Sequence, residues 1–107
     1  MIPPFPGLGS RPHLAAVDIG SNTCSMVLVG RGGRDYQVLE DYSVVTGLGR
    51  DRGPNGELDG GAMERTILTL KMFRRRIDEM EVGRVAAVAT AAVREAPNVA
   101  DIAQIVR

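Results

Sequence analysis

The chain has 107 residues, which suits one small domain or a piece of a larger one, and its thirteen basic and thirteen acidic residues cancel. That balance leaves no global field to gather a nucleic acid or an anionic membrane, so any polyanion must be held by a local site. The lone cysteine, Cys24, excludes an internal disulfide and fits a reducing cytoplasm.

Residues 1–13 read as a disordered leader: Pro3, Pro4 and Pro6 interrupt the apolar region, and no positive charge precedes it as a signal peptide would require. His13 at its edge reads as a solvated loop residue. No apolar run approaches the length that spans a bilayer. From Leu14 to Ile19 nearly every residue is apolar, as in a strand covered on both faces. Thr23 to Val29 makes a second strand, and the short gap before it implies an antiparallel hairpin. Gly30 to Asp35 is a turn. Tyr36 to Val45 then forms a third strand with Tyr36, Val38, Tyr42 and Val44 at alternate positions, an alternation that Glu40 breaks.

Gly47 to Gly61 is a glycine-rich loop. Ala62 to Glu81 reads as an amphipathic helix, since Met63, Ile67, Leu70, Phe73, Ile77 and Met80 recur at steps of three and four. Glu64, Arg65, Lys71, Arg74, Arg75, Asp78 and Glu79 occupy the other face, Asp59 is the expected N-cap and Gly83 the expected stop. Val85 to Thr90 is apolar on both faces and fits a parallel strand reached by the helical crossover. Ala91 to Glu95 has room for one helical turn before Pro97 pushes Ala96 out of the α region. Asn98 and Asp101 resemble a cap opening a last helix, Val99 to Arg107. The expected fold class is α/β in the order β-β-β-α-β-α, apparently incomplete because the chain stops inside that helix.

Several motifs fail on their chemistry. Asp51 to Ala62 imitates a calcium loop, yet Gly53 stands where a ligand belongs and Ala62 replaces the closing glutamate. Gly47-Leu48-Gly49 lacks the third glycine and following helix of a dinucleotide site. Arg74-Arg75-Arg76 is flanked by Asp78, Glu79 and Glu81 and reads as a solvated helix face. Cys24 has no histidine near it in sequence and reads as a small core residue.

One constellation stands. Asp18 ends the first strand, and Gly20 offers a backbone conformation closed to other residues. The amides of Ser21, Asn22 and Thr23, with two hydroxyls and an amide side chain, can then share one concavity that binds an anion such as phosphate. A carboxylate beside that nest repels phosphate unless a cation lies between, so Asp18 implies Mg²⁺ held partly through water. An ordinary hairpin turn with Asp18 as a local cap accounts for the same spacing. The fourth strand's end adds weight to the first reading. Thr90 can cap the short turn after it, and Arg94, four residues on, projects to the same side with a guanidinium that fits phosphate oxygens. In a mixed sheet the carboxyl ends of strands one and four face the same crevice, so both sites converge on one polyphosphate chain.

"AVDIGSNT", "TGLGRDRGPNGELDGGAMERT" and "VAAVATAAVREAPN" resemble the exopolyphosphatase / guanosine pentaphosphate phosphohydrolase (Ppx/GppA) family, over Leu14 to Arg107. The resemblance implies the first half of a ribonuclease-H-like domain of the actin-like ATPase superfamily, with strand order 3-2-1-4. It implies a Mg²⁺-dependent hydrolase releasing terminal orthophosphate from inorganic polyphosphate or guanosine pentaphosphate (pppGpp). Asp18 would serve the metal, Gly20, Ser21, Asn22 and Thr23 the first phosphate loop, and Arg94 the phosphate chain, beside the phosphate-facing amides that the Thr90 turn offers on the reading above. The family's catalytic glutamate and second glycine-rich loop lie downstream of Arg107, and Glu95 is not assigned as the base. Ser25 departs from the larger, often basic, residue of many relatives. The resemblance leaves open a homodimer of the full-length protein, and implies a cytoplasmic protein with no nucleic-acid or membrane partner. A non-catalytic phosphate- or nucleotide-binding remnant is the alternative, and a sugar-kinase-like protein explains Asp18 and Gly20 but not Thr90 to Arg94.

Overall fold

The computed structural model describes residues 12–32, 35–50 and 52–97, and its elements follow one another as β1 (Leu14–Ile19), β2 (Thr23–Gly32), β3 (Asp35–Val45), α1 (Gly60–Glu79), β4 (Arg84–Ala89) and α2 (Ala91–Arg94). The leader before Pro12 and the expected helix Val99 to Arg107, with its Asn98–Asp101 cap, lie outside the described residues. Among the described residues no helix is long and apolar enough to cross a membrane.

The four strands form one mixed sheet in the order β3-β2-β1-β4. β1 pairs antiparallel with β2 (Ile19 opposite Cys24) and parallel with β4 (Ile19 opposite Ala89). A parallel neighbour needs a crossover, and α1 provides it. Alternation along the strands sends Ala15, Val17 and Ile19 of β1, and Cys24, Met26 and Leu28 of β2, into the core. There they join Met63, Leu70, Phe73 and Ile77 of α1 in one buried cluster. Burying a side chain such as Leu28, fully enclosed here, contributes about 1.5–3 kcal/mol.

The β2–β3 hairpin is longer than its glycines suggest. Gly30, Arg31 and Gly32 continue the ladder against Gln37, Tyr36 and Asp35, and the Arg31 guanidinium lies 5.7 Å from the centre of the Tyr36 ring. The expected alternation of β3 does not hold along its length. Leu28 pairs with Glu40 but Val29 pairs with Val38, so Leu39 is an extra residue in a bulge. Tyr42 and Val44 therefore face α1, whereas Val38 and Tyr36 turn to the opposite face and stand exposed. Glu40, the residue that broke the pattern, sits beside that bulge.

Glu40 is half-buried on the α1 side because α1 neutralises it. Arg76 donates from Nε to Oε1 at 2.7 Å and from Nη2 to Oε2 at 2.6 Å, a two-point fork that a lysine could not make. Tyr42 donates its hydroxyl to the same carboxylate. Arg76 is thus drawn inward from the basic triplet, while Arg74 and Arg75 stay exposed.

α1 opens where Asp59 Oδ2 accepts a hydrogen bond from the Ala62 amide at 2.9 Å. Its end differs from expectation. Met80 is the C-cap and Glu81, not Gly83, takes the left-handed conformation (φ 52°). The Val82 amide reaches back to the Ile77 carbonyl at 3.2 Å, closing the final turn.

Candidate functional site

Because β1 and β4 are parallel neighbours, their carboxyl ends emerge side by side, and the loops leaving them share one end of the sheet. Asp18, one residue before the end of β1, alternates out of the core onto the face away from α1. It is exposed there, between Ser25 of β2 and Val88 of β4, on a shallow depression of about 240 Å³ that Val27 and Asp41 also line. Its carboxylate makes no hydrogen bond or ion pair among the described residues. The charge is nonetheless felt across the strand: burial first, and Asp18 second, push the Cys24 thiol up to about 11. Cys24 is thus a buried, protonated core residue rather than a nucleophile.

The turn after β1 is closed by the Gly20 amide donating to the Thr23 carbonyl at 2.9 Å. Glycine is needed here for a reason other than the expected one. Gly20 is not in the left-handed region; a Cβ at this position would lie 2.8 Å from the Thr23 carbonyl oxygen. Close approach of backbone to backbone, not an unusual φ, is what excludes a side chain.

A segment given no functional role by its sequence pattern, Thr46 to Arg50, packs beneath this turn. The Thr46 and Gly47 amides both donate to the Asn22 carbonyl at 3.0 Å, and the Gly49 amide donates to the Ser21 carbonyl at 2.8 Å. Gly49 permits that contact, since a Cβ there would come within 2.7 Å of the Ser21 Cβ. The carbonyls of Ser21 and Asn22 are thereby used inward, while their own amides donate to no group among the described residues. Orphan amides on a short turn are the groups that an anion satisfies. The signal for this segment was the glycine pair around Leu48, a fully buried residue, followed at once by Arg50, whose Nη2 donates to Asn22 Oδ1 at 2.7 Å.

From the other strand, Thr90 begins α2. Its carbonyl accepts from the Arg94 amide at 2.9 Å, but its side chain makes no capping hydrogen bond, contrary to expectation. The hydroxyl instead lies 3.4 Å from Ser21 Oγ. Two loops 69 residues apart in sequence meet there. Arg94 lies one turn beyond Thr90 and is exposed, with no partner for its guanidinium among the described residues. Glu95 next to it is the C-cap of α2.

Among the described residues no three His, Cys, Asp or Glu side chains gather around a point. A cation at this end of the sheet would meet the Asp18 carboxylate, with hydroxyls, water or a bound anion completing its shell. That donor set suits Mg²⁺, which keeps much of its water, better than Ca²⁺, which takes six to eight oxygens.

Comparison with known proteins identifies the family of the chain as a whole. The model of the Ppx/GppA phosphatase family matches residues 28–107, most of the chain. A Ppx/GppA family member from Aquifex aeolicus superposes with a TM-score of 0.77 and 32% sequence identity over 85% of this chain and 30% of that one. An exopolyphosphatase from Cytophaga hutchinsonii gives a TM-score of 0.77 and 31% identity over 86% of this chain and 30% of that one. The chain therefore spans about 30% of the length of these solved structures. The strand order with its α1 crossover is the actin-like ATPase arrangement these relatives share. With strand order, sequence and the family model in agreement, the chain belongs to the Ppx/GppA phosphatase family.

Proposed function

We propose that this chain supplies the metal- and phosphate-gripping part of a phosphoanhydride hydrolase that removes terminal orthophosphate from inorganic polyphosphate or pppGpp. The observation that carries the reading is the meeting of Ser21 and Thr90, 3.4 Å apart, which makes one site of two loops. Each residue has a task its chemistry suits. The amides of Ser21 and Asn22 donate to phosphate oxygens, Gly20 lets the turn close tightly enough to aim them, and the hydroxyls of Ser21, Thr23 and Thr90 add donors that rotate to fit. Arg94 contributes a cation and a planar fork for an adjacent phosphate. Asp18 holds Mg²⁺. When bound, that ion offsets the repulsion between carboxylate and phosphate and draws charge toward the leaving oxygen.

Hydrolysis also requires a water held in line and relieved of its proton. Glu95, exposed at the end of α2 next to Arg94, receives no such role; on this reading the general base belongs to a segment outside residues 1–107. The chain by itself binds and does not turn over.

Titration of tripolyphosphate into the chain, with and without Mg²⁺, tests this. Binding is expected to need Mg²⁺, and Asp18→Asn is expected to remove the metal dependence and weaken binding about tenfold or more. Binding indifferent to both Mg²⁺ and Asp18, or steady orthophosphate release by the chain alone, would overturn the assignment.

A further inference from the structure

We propose that Arg50 is a positioning residue of the phosphate loop, holding the Asn22 side chain so that it can only donate toward the bound anion. The inference rests on the reading of Ser21 to Thr23 as that loop. A guanidinium has donors and no acceptor, so a side-chain amide bonded to it must present its oxygen. Arg50 Nη2 lies 2.7 Å from Asn22 Oδ1. The Asn22 NH₂ is thereby directed away from Arg50, and Asn22 becomes a fixed donor where an unconstrained amide would offer either end.

The contact is built by the backbone around it. Gly47 adopts φ +68°, and a Cβ on it would lie 3.3 Å from Arg50 Cδ and 3.6 Å from Nε. The arginine stem therefore lies back across a residue that has no side chain. The Arg50 amide closes the turn on the Gly47 carbonyl at 3.1 Å, and the Gly49–Ser21 hydrogen bond holds the segment against the loop. Asn22 is thus gripped twice, by its carbonyl through Thr46 and Gly47 and by its side chain through Arg50. A polyphosphate chain offers only acceptors, so a loop whose amide is locked as a donor favours it over ligands that donate.

The test is tripolyphosphate binding to the chain with Mg²⁺, alongside the Asn22 side-chain NH₂ signals in ¹⁵N-resolved spectra. Arg50→Met is expected to weaken binding about tenfold, and Arg50→Lys, still a donor-only cation, to keep it within about threefold. Addition of tripolyphosphate should move the Asn22 NH₂ signals in the parent chain and in Arg50→Lys, and much less in Arg50→Met. In an Asn22→Ala background, Arg50→Met should cost little further. A full tenfold loss in that background, or unchanged binding by Arg50→Met, would overturn the proposal while leaving the phosphate loop standing. Absence of binding by the parent chain would overturn the loop reading and this one together. Should Arg50→Met fail to fold, Arg50→Gln makes the same comparison, because an amide neither carries charge nor dictates which end of Asn22 faces it.

Discussion

At the scale of single residues, the Ser21 and Asn22 amides, the Asp18 carboxylate and the Arg94 guanidinium have no partner among the described residues and are open to a ligand. Thr46 differs from them. It is buried, its amide and carbonyl are bonded to Asn22 and to Arg65 Nε, yet its hydroxyl has no partner among the described residues. An unsatisfied buried hydroxyl costs about 1–3 kcal/mol. Thr46→Val keeps the shape and removes the oxygen, so it is expected to stabilise the chain by about 1 kcal/mol in urea denaturation. A loss of stability would mean that the hydroxyl has found a partner. The same residue separates what is legible from what is not. Thr46 looks like one more β-former at the end of a strand, and nothing in its neighbours tells that its backbone holds up a loop more than twenty residues earlier. Gly20 was legible as necessary, but the reason was a 2.8 Å approach to Thr23 rather than its own dihedral angles.

At the scale of elements, one ion pair joins α1 to β3. The two hydrogen bonds from Arg76 are the main cause holding the Glu40 carboxyl below the usual glutamate range, with Tyr42 adding to them against the opposing effect of burial. The Tyr42 hydroxyl is raised in turn, by burial first and then by Glu40. A carboxyl whose pKa is lower in the folded chain stabilises it fully above its unfolded value, about 4.3, and loses that contribution as pH falls through the lowered one. Both partners are partly open to solvent, so the contribution at neutral pH is about 1 kcal/mol. Glu40→Gln should therefore be less stable than the parent chain at pH 7, and the gap should close in the acid range. A gap independent of pH would show that the charge is not what matters. The bulge at Leu39 puts Glu40 where Arg76 can reach it, and the broken alternation in the sequence was its trace. Its direction was not readable, because both registers satisfy the local pattern until β2 and α1 choose between them.

At the scale of the whole molecule, cover is uneven. α1 shields the faces of β1 and β2 that carry Ala15, Val17, Cys24 and Met26, whereas Val85 and Val88 of β4 are 49% and 64% exposed. Truncation should report the difference. Leu28→Ala is expected to cost about 2–5 kcal/mol, and Val88→Ala to stay within about 0.5 kcal/mol of the parent chain. A large cost at Val88 would mean that another segment covers it. The reading of Val85 to Thr90 as apolar on both faces identified a strand suited to burial, although among the described residues nothing encloses it.

The sequence by itself determined the order of elements, the cap at Asp59, the apolar stripe of α1, and the placing of Asp18 and Thr90 at strand ends. Those depend on residues within a turn or two of one another, where spacing is geometry. Tertiary structure alone decided that Ser21 meets Thr90 from 69 residues away and that Arg50 reaches Asn22 from 28. It also decided that Gly49 is where its loop can approach Ser21 closely. Such contacts form only once the sheet has ordered its strands, and a linear pattern holds no measure of distances set by chain segments that are far apart along it.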